Sequence, residues 1–413
     1  MAFFCLLLYL IVLYLRPAEW IAVFYGWQLV DVTLMGAALF LAFRVALSRG
    51  GLVKVPHTLM MLGLFGAVLL SHAANTYVGG LVSAFGAFGK LVVTYLVILY
   101  TVTTTRKFQV TLWVLIALTA LLAYQGIQQA QTGYGWAGQG LAEGGRIRWI
   151  SIFSDPNDLA LAFVIVVPLL LSYLFKQRLF FGAKAVSSCL IALMLYGIYL
   201  TNSRGGVLGL MAAVVFYFIK RSRWVVPGGI IGGVFATLIF LFAPSRMGAI
   251  SAQESSAYGR LDAWYYGFGL IKSSPVFGVG YNMFTNDYPL TAHNSFVLAA
   301  SELGLIGLCL WVGLLYTSFK GLSLIQKHVP MLAPYAFGLQ AGLVGFAATA
   351  FFLSRTYIEM PYMLCALSAA LYHVAHTQTD AVEFQFTRRD ARNVLLLSLG
   401  SLVLVQIAMK TWL

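Results

Sequence analysis

The sequence predicts an all-α polytopic membrane bundle of about 12–13 spans. Hydrophobic residues make up 61% of the 413 residues and charged residues only 9%, whereas soluble domains are roughly 45–50% apolar and about 25% charged. The apolar residues form runs of about 17–25 residues, the length that an α-helix needs to cross about 30 Å of hydrocarbon. Because the two-residue alternation of membrane β-barrels is absent, we expect the spans to be helices.

The apolar runs follow one another along the whole chain. The first run begins at Phe3 with no basic residue before it, so we expect a retained span and not a cleaved signal peptide. No repeat of 20–50 residues and no low-complexity linker interrupts the series, which predicts a single membrane domain over 1–413. The predicted spans lie near residues 2–15, 26–43, 56–72, 81–103, 108–126, 157–175, 184–201, 206–219, 225–243, 295–318, 331–353, 356–376 and 393–410.

Lysine and arginine residues gather in every second joint between these runs. Cytoplasmic loops hold an excess of such residues, so the pattern predicts a cytoplasmic amino terminus. The net charge of +13 is then mostly a topology signal and requires no nucleic-acid partner. The same alternation places two long joints outside, 127–156 and the larger 244–294, and the larger one is expected to form an ordered cap with a short helix near 258–272.

Ten cations remain outside the cytoplasmic joints, most of them at outer span ends or in outer loops. A guanidinium fork binds two phosphate oxygens at once, so the set suggests an anionic ligand. Pairing with outer acids would explain a single arginine equally well but not the whole set, and Lys90 and Asp31 are expected to form one such pair. The ten are Arg16, Lys90, Arg146, Arg148, Arg204, Arg246, Arg260, Lys272, Arg355 and Lys410.

Two of these arginines lie in distinctive local patterns. Arg204 occupies a very short joint between two spans and precedes two glycines, which allow close approach of a ligand. A tight helical hairpin with a snorkelling arginine is the structural alternative. Arg260 and Trp264 share one face of a helix at i, i+4, a pattern that a helix lying on the membrane would also produce.

A third pattern combines a histidine with a buried acid. His293 stands at the outer mouth of a span, and Glu302 lies one to two turns deeper on the face that carries Ser295. An ionisable residue inside a span is a functional hypothesis, because burying its charge is costly. His293 has the pKa range of a general base, although an isolated interfacial histidine without a chemical role fits the spacing as well.

These patterns together resemble the O-antigen ligase and polymerase superfamily, which includes protein O-oligosaccharyltransferases. The resemblance rests on the SRGG joint at Arg204, the R-x-x-x-W helix at Arg260, the HNSF segment at His293 and the earlier FSDPND segment, 153–158. It is strongest from about Arg148 to Gly307, with 354–359 a weaker match, and the first 120 residues are generic spans.

The resemblance implies a metal-independent inverting glycosyltransferase of the GT-C type with a periplasmic active site in the bacterial inner membrane. The donor would be a glycan on undecaprenyl pyrophosphate, and no cofactor or metal is expected because the outer acids lack Asp-x-Asp spacing. His293 would activate the acceptor hydroxyl, assisted by Glu302. Arg204, Arg260 and Arg148 would hold the pyrophosphate, with four supporting residues: Asn294, Trp264, Arg355 and Asn157.

The sequence leaves the acceptor open. An O-antigen ligase, the most favoured assignment, uses lipid A-core, whereas a polymerase uses another lipid-linked glycan and a protein O-oligosaccharyltransferase uses Ser or Thr. A small-anion transporter is the alternative of a different class. A carrier should place its charges near the midplane, where only Lys90 and Asp31 are candidates.

Overall fold

The computed structural model describes residues 1–47, 55–175, 181–220 and 250–411, without the side chains of Leu47 and of residues 250–258. Within these residues the chain forms a bundle of α-helices with no β-strand. The predicted span 225–243 lies outside the described residues. The helices are α1 (Ala2–Leu15), α2 (Leu29–Leu47), α3 (Pro56–Ala74), α4 (Val78–Thr101), α5 (Thr105–Thr132), α6 (Pro156–Leu174), α7 (Phe181–Thr201), α8 (Arg204–Lys220), α9 (Ile250–Ser273), α10 (Ser295–His328), α11 (Ala333–Ala350), α12 (Glu359–His376) and α13 (Arg388–Thr411).

Nine of the described helices are long and apolar enough to cross a membrane. The predicted fold class, a polytopic helical membrane protein, is therefore confirmed. The helix predicted near 258–272 is present and longer, because α9 runs from Ile250 to Ser273. The predicted joint 127–156 begins in a helix, since α5 continues to Thr132. Its remainder is held by two isolated β-bridges and a 3₁₀ turn at Ser151–Phe153.

Helix α6 is the buried centre of the bundle and packs against α7, α8 and α11. Small residues allow close approach between α8 and α11, where a Cβ added at Gly209 would collide with Thr349. Helix α10 packs against α3, α11 and α13 on the other side of the bundle. Close helix packing through small residues is the usual way in which membrane helices associate without a hydrophobic driving force.

Helix α10 is broken near its start by Gly304, whose φ is 68°. The loop 274–284 packs against this break, and the amide of Val279 donates to the carbonyl of Ser301 at 2.9 Å. The amide of Leu305 donates to the carbonyl of Pro275 at 2.9 Å across the same contact. A Cβ at Gly304 would collide with the backbone of Val276, so the contact requires glycine for space as well as for φ.

The helix ends that carry the predicted site residues meet at one end of the bundle, which we call the His293 end. Helix α6 begins there with a cap in which the Asp155 side chain accepts from the amide of Asn157 at 2.9 Å. Helix α10 begins there with Asn294, whose side chain accepts from the amides of Phe296 and Val297. These caps satisfy otherwise orphaned amides at the helix starts and hold the residues before them in place.

Candidate active site

His293 lies just before the start of α10, where the charges of two arginines and one aspartate act on it. Its backbone adopts a left-handed φ of 49°, and its ring is half-buried. Burial lowers the pKa of the imidazole, and the charges of Arg260 and Arg355 lower it further, whereas Asp155 acts in the opposite direction. The imidazole is therefore neutral at neutral pH and is able to accept a proton.

Arg204 and Arg260 form the part of this site that favours an anion. Arg204 is the first residue of α8 and is exposed, and Arg260 is half-buried on α9. Burial lowers the pKa of Arg260, and the charge of Arg204 lowers it further, so the two guanidinium groups are close enough to repel each other. Neither forms an ion pair with a carboxylate among the side chains that the structure describes. An anion placed between them would relieve the repulsion.

Arg355 is different, because two carboxylates neutralise it. Its guanidinium forms ion pairs with Asp155 and Asp158. Its backbone amide donates to the Ser295 hydroxyl at 2.7 Å, and that hydroxyl donates to the carbonyl of Leu353 at 2.6 Å. Arg355 therefore ties the segment before α12 to the starts of α6 and α10, next to His293.

Asn157 connects a further arginine to the start of α8. Its side-chain oxygen accepts from Arg146 Nη2 at 2.9 Å and from the Ser203 hydroxyl at 2.7 Å. Arg146 Nε also donates to the carbonyl of Thr201, one turn before Arg204. Arg146 is one of the ten outer cations of the sequence, but it is not among the predicted site residues. Its position two residues before Arg148 was the only signal.

Arg148 is placed in the loop after α5. Its Nε donates to the carbonyl of Gly140 at 2.9 Å, and its amide donates to the side chain of Gln129 at 2.9 Å. The contacts that the structure describes for Arg148 do not join it to Arg204 or Arg260. A role at the pyrophosphate stays a prediction for this residue.

Asn294 and Trp264 are buried side chains that both contact Phe351, at the end of α11. Asn294 is fully buried, caps α10, and donates through Nδ2 to the carbonyl of Phe351 at 2.9 Å. Trp264 is also buried, with its ring 6.3 Å from that of Phe351, centroid to centroid. The two residues anchor α9 and α10 against the end of α11.

Glu302 is buried beneath the loop 274–284. Its carboxylate accepts from the amide of Phe284 at 2.8 Å and from that of Asn282 at 3.0 Å. The Tyr357 side chain also lies close to this carboxylate. Charge-assisted bonds of this kind are strong in a dry environment, so the geometry makes Glu302 a support for the loop. A catalytic role for it stays a prediction.

The described residues contain no group of three or more His, Cys, Asp or Glu side chains placed to hold a metal ion. The groups whose charges act on His293 are instead the guanidinium groups of Arg260 and Arg355 and the carboxylate of Asp155, which come from three chain segments. This arrangement is able to hold a doubly charged anion at Arg204 and Arg260 and to accept a proton at His293.

Part of the chain is similar to a known protein family. Residues 189–312 match the family model described as Wzy_C, O-antigen ligase. This part of the chain is similar to O-antigen ligases. The predicted resemblance to the ligase and polymerase superfamily is thereby confirmed, and no curated protein matches the chain.

The matched segment runs from α7 into α10 and contains most of the predicted site. Six predicted site residues lie inside it: Arg204, Arg260, Trp264, His293, Asn294 and Glu302. Arg148, Asn157 and Arg355 lie outside it, and the fold brings the last two to it through the contacts above. The match and the nine candidate spans among the described residues together indicate a multi-pass bacterial membrane enzyme of polysaccharide biosynthesis that transfers glycosyl groups.

Proposed function

We propose that this protein transfers a glycan from undecaprenyl pyrophosphate to an acceptor hydroxyl without a metal ion and with inversion at the anomeric carbon. The reaction would take place at the His293 end of the bundle, on the periplasmic face of the bacterial inner membrane, with the amino terminus in the cytoplasm. Lipid A-core is the proposed acceptor. A second lipid-linked glycan, for a polymerase, and a serine or threonine hydroxyl, for a protein O-oligosaccharyltransferase, are the alternatives.

The observation that supports this proposal best is the electrostatic chain from Arg204 to Arg260 to His293. Arg204 and Arg260 influence each other, and Arg260 influences His293, although the three residues come from separate segments of the chain. If the two arginines bind the pyrophosphate, the anomeric carbon of the attached sugar would therefore lie near the imidazole. A base next to the acceptor and cations next to the leaving group are the two elements that displacement at that carbon requires.

The proposed reaction is a single displacement. The acceptor oxygen forms a bond to the anomeric carbon while His293 takes the proton of the hydroxyl group. The bond from that carbon to the pyrophosphate oxygen breaks on the opposite side, and undecaprenyl pyrophosphate leaves with the electron pair. Arg204 and Arg260 stabilise the charge that develops on the leaving oxygen. The imidazolium formed at His293 then releases its proton to water.

Purified protein reconstituted in lipid provides the test. A glycan on undecaprenyl pyrophosphate is offered with lipid A-core, with a second lipid-linked glycan, or with a serine-containing peptide, each with and without EDTA. Transfer to lipid A-core that persists in EDTA and inverts the anomeric configuration supports the proposal. Transfer that requires added Mg²⁺ or Mn²⁺, or that retains the configuration, contradicts the mechanism, and exclusive use of another acceptor reassigns the enzyme within the superfamily.

A further inference from the structure

A cavity of about 450 Å³ opens at the His293 end between α1, α2, α4 and the start of α12. Its size lies in the range of about 300–1,000 Å³ that is typical of small-molecule sites. At its floor, the hydroxyl groups of Tyr9 and Thr94 share a hydrogen bond of 2.8 Å. At its rim lies Trp27, whose side chain is exposed. The cavity therefore offers hydroxyl groups at the bottom and an aromatic face at the entrance.

Charged side chains of both signs line the walls, and most of them are paired. Lys90 forms an ion pair with Asp31 at 2.7 Å, as the sequence predicts. Arg16 forms an ion pair with Glu19 at 3.4 Å. Glu359 is left as a fifth charged group, and among the described residues no cation forms a salt bridge with it.

These charges disfavour an anionic occupant. The carboxylates in the cavity outnumber the cations by one, and each cation already has an acidic partner. Arg16 Nε is nevertheless shielded from solvent and has no hydrogen-bond partner, so it remains available as a donor to a neutral oxygen. A ligand that supplies both a hydroxyl donor for Glu359 and an oxygen acceptor for Arg16 would satisfy both groups.

The cavity is connected to the proposed catalytic site by a short piece of backbone. Glu359 lies four residues after Arg355 in the chain. The amide of Arg355 donates to the Ser295 hydroxyl at 2.7 Å, and its charge acts on His293. At the end of α1, the ring of Tyr14 packs 5.1 Å from that of Phe153, centroid to centroid, and Phe153 shortly precedes Asp155 in the chain. The cavity and the proposed catalytic site are therefore linked through the segment before α12, at the same end of the bundle.

We propose that this cavity, which we call the α1–α2–α4 cavity, is the acceptor subsite and binds a sugar residue of a lipid-anchored acceptor glycan. Glu359 and Arg16 hydrogen-bond the sugar hydroxyl groups, and Trp27 covers an apolar face of the ring. Tryptophan is suited to that position because it combines a large apolar face with a polar edge. The inference rests on the proposed function, because it assigns the acceptor of the same reaction.

The first test separates acceptor binding from donor binding. Glu359→Ala, Glu359→Gln and Trp27→Ala are compared with wild type in transfer assays at varied lipid A-core concentration, with donor binding measured in parallel. We expect KM for the acceptor to rise about tenfold or more in Glu359→Ala and Trp27→Ala and less in Glu359→Gln, which keeps the shape and a hydrogen-bonding oxygen. Donor binding should stay within about twofold, and the matched control Asp287→Asn, on an exposed loop residue of the same end, should change neither.

The second test does not depend on transfer. Gln28→Cys, at a residue that lines the cavity, is labelled with a charged thiol reagent in a variant whose four native cysteines are replaced by alanine. Core oligosaccharide released from lipopolysaccharide by mild acid should slow the labelling, whereas a serine-containing peptide should not. If wild type transfers no glycan, the proposed function fails while this protection still tests the cavity.

Two results would overturn the inference. One is an unchanged acceptor KM in both alanine variants, or a loss of donor affinity in them, which would assign the cavity to the donor. The other is labelling of Gln28→Cys that the oligosaccharide does not slow. The labelling result also decides the question if Glu359→Ala fails to fold.

Discussion

Arg260 lies close enough to His293 for its guanidinium charge to lower the pKa of the imidazole. Arg260 belongs to α9 and His293 to the turn before α10, so the interaction of their charges depends on the fold. Because Arg260 is half-buried, its charge is less screened by water than that of an exposed residue. This charge interaction favours the neutral imidazole, which is the form that takes a proton from the hydroxyl group of the acceptor substrate.

The pH dependence of glycan transfer should show the lowered pKa of His293. Activity should rise through an acid limb below about 6.5, the ordinary pKa of histidine, because the pKa of His293 is lowered and only the neutral ring acts as a base. Asp155→Asn removes the carboxylate that raises this pKa, so the limb should move to lower pH. The measurement is kcat/KM against pH for both proteins.

Asn at position 155 can still cap α6, since its side-chain oxygen replaces the carboxylate oxygen that accepts from the amide of Asn157. Asp287→Asn serves as the control for a charge change at an exposed site. An acid limb that moves to higher pH in Asp155→Asn would contradict the assignment of His293 as the base.

His293→Ala removes the proposed base but leaves the arginines in place. Turnover should fall by about 10²–10⁴-fold, the usual effect of losing a general base, with donor binding nearly unchanged. The assay measures transfer and donor binding at matched membrane expression. Transfer by His293→Ala at the wild-type rate would assign His293 to the structural role of an interfacial residue.

Arg204→Lys and Arg260→Lys keep the net charge but remove the planar fork that binds two phosphate oxygens. Each should weaken donor binding by about 10–100-fold, which corresponds to the loss of a charge-assisted hydrogen bond. Arg392→Lys, on α13, is the matched control and should bind donor like wild type. Full activity in both lysine variants would show that the guanidinium groups do not hold the pyrophosphate.

Glu302→Gln tests whether the buried carboxylate supports the loop 274–284. One of its two oxygens becomes an NH₂ group facing a backbone amide, so a hydrogen bond is lost in a buried setting. We expect a loss of about 1–3 kcal/mol in the free energy of unfolding, and faster hydrogen exchange at residues 278–284. The measurements are the thermal transition in detergent and exchange by mass spectrometry. Unchanged stability and exchange with strongly reduced transfer would instead favour a catalytic role.

The orientation in the membrane follows from the distribution of cations and has a direct test. Single cysteines replace Ser256, in the predicted outer segment, and Thr379, after α12, in a background without native cysteines. An impermeant reagent should label Ser256→Cys in intact spheroplasts and Thr379→Cys only after lysis. The reverse pattern would invert the topology and place the His293 end in the cytoplasm.

The linear pattern of apolar residues was sufficient for the helices because hydrocarbon thickness sets their length and the backbone must satisfy its own hydrogen bonds in lipid. The predicted span at 2–15 coincides with α1, and the helix near 258–272 lies within α9. The pairing of Lys90 with Asp31 was also predictable, because two opposite charges at similar depth in an apolar setting have strong reason to meet.

Which residues lie next to the predicted site residues could not be predicted from the sequence, because the fold decides it. Local spacing does not show that Arg355 pairs with Asp155 and Asp158. Nor does it show that the charges of Arg204 and Arg260 repel each other, since these interactions join segments far apart in the chain. For the same reason it did not separate Arg146, which reaches Asn157, from Arg148, which bonds within its own loop. The position of Glu302 depended on the break at Gly304, which lets the loop backbone approach and bind the carboxylate. Residue type and spacing determine which groups are available near the membrane surface, whereas long-range packing decides which charges remain unpaired for a ligand.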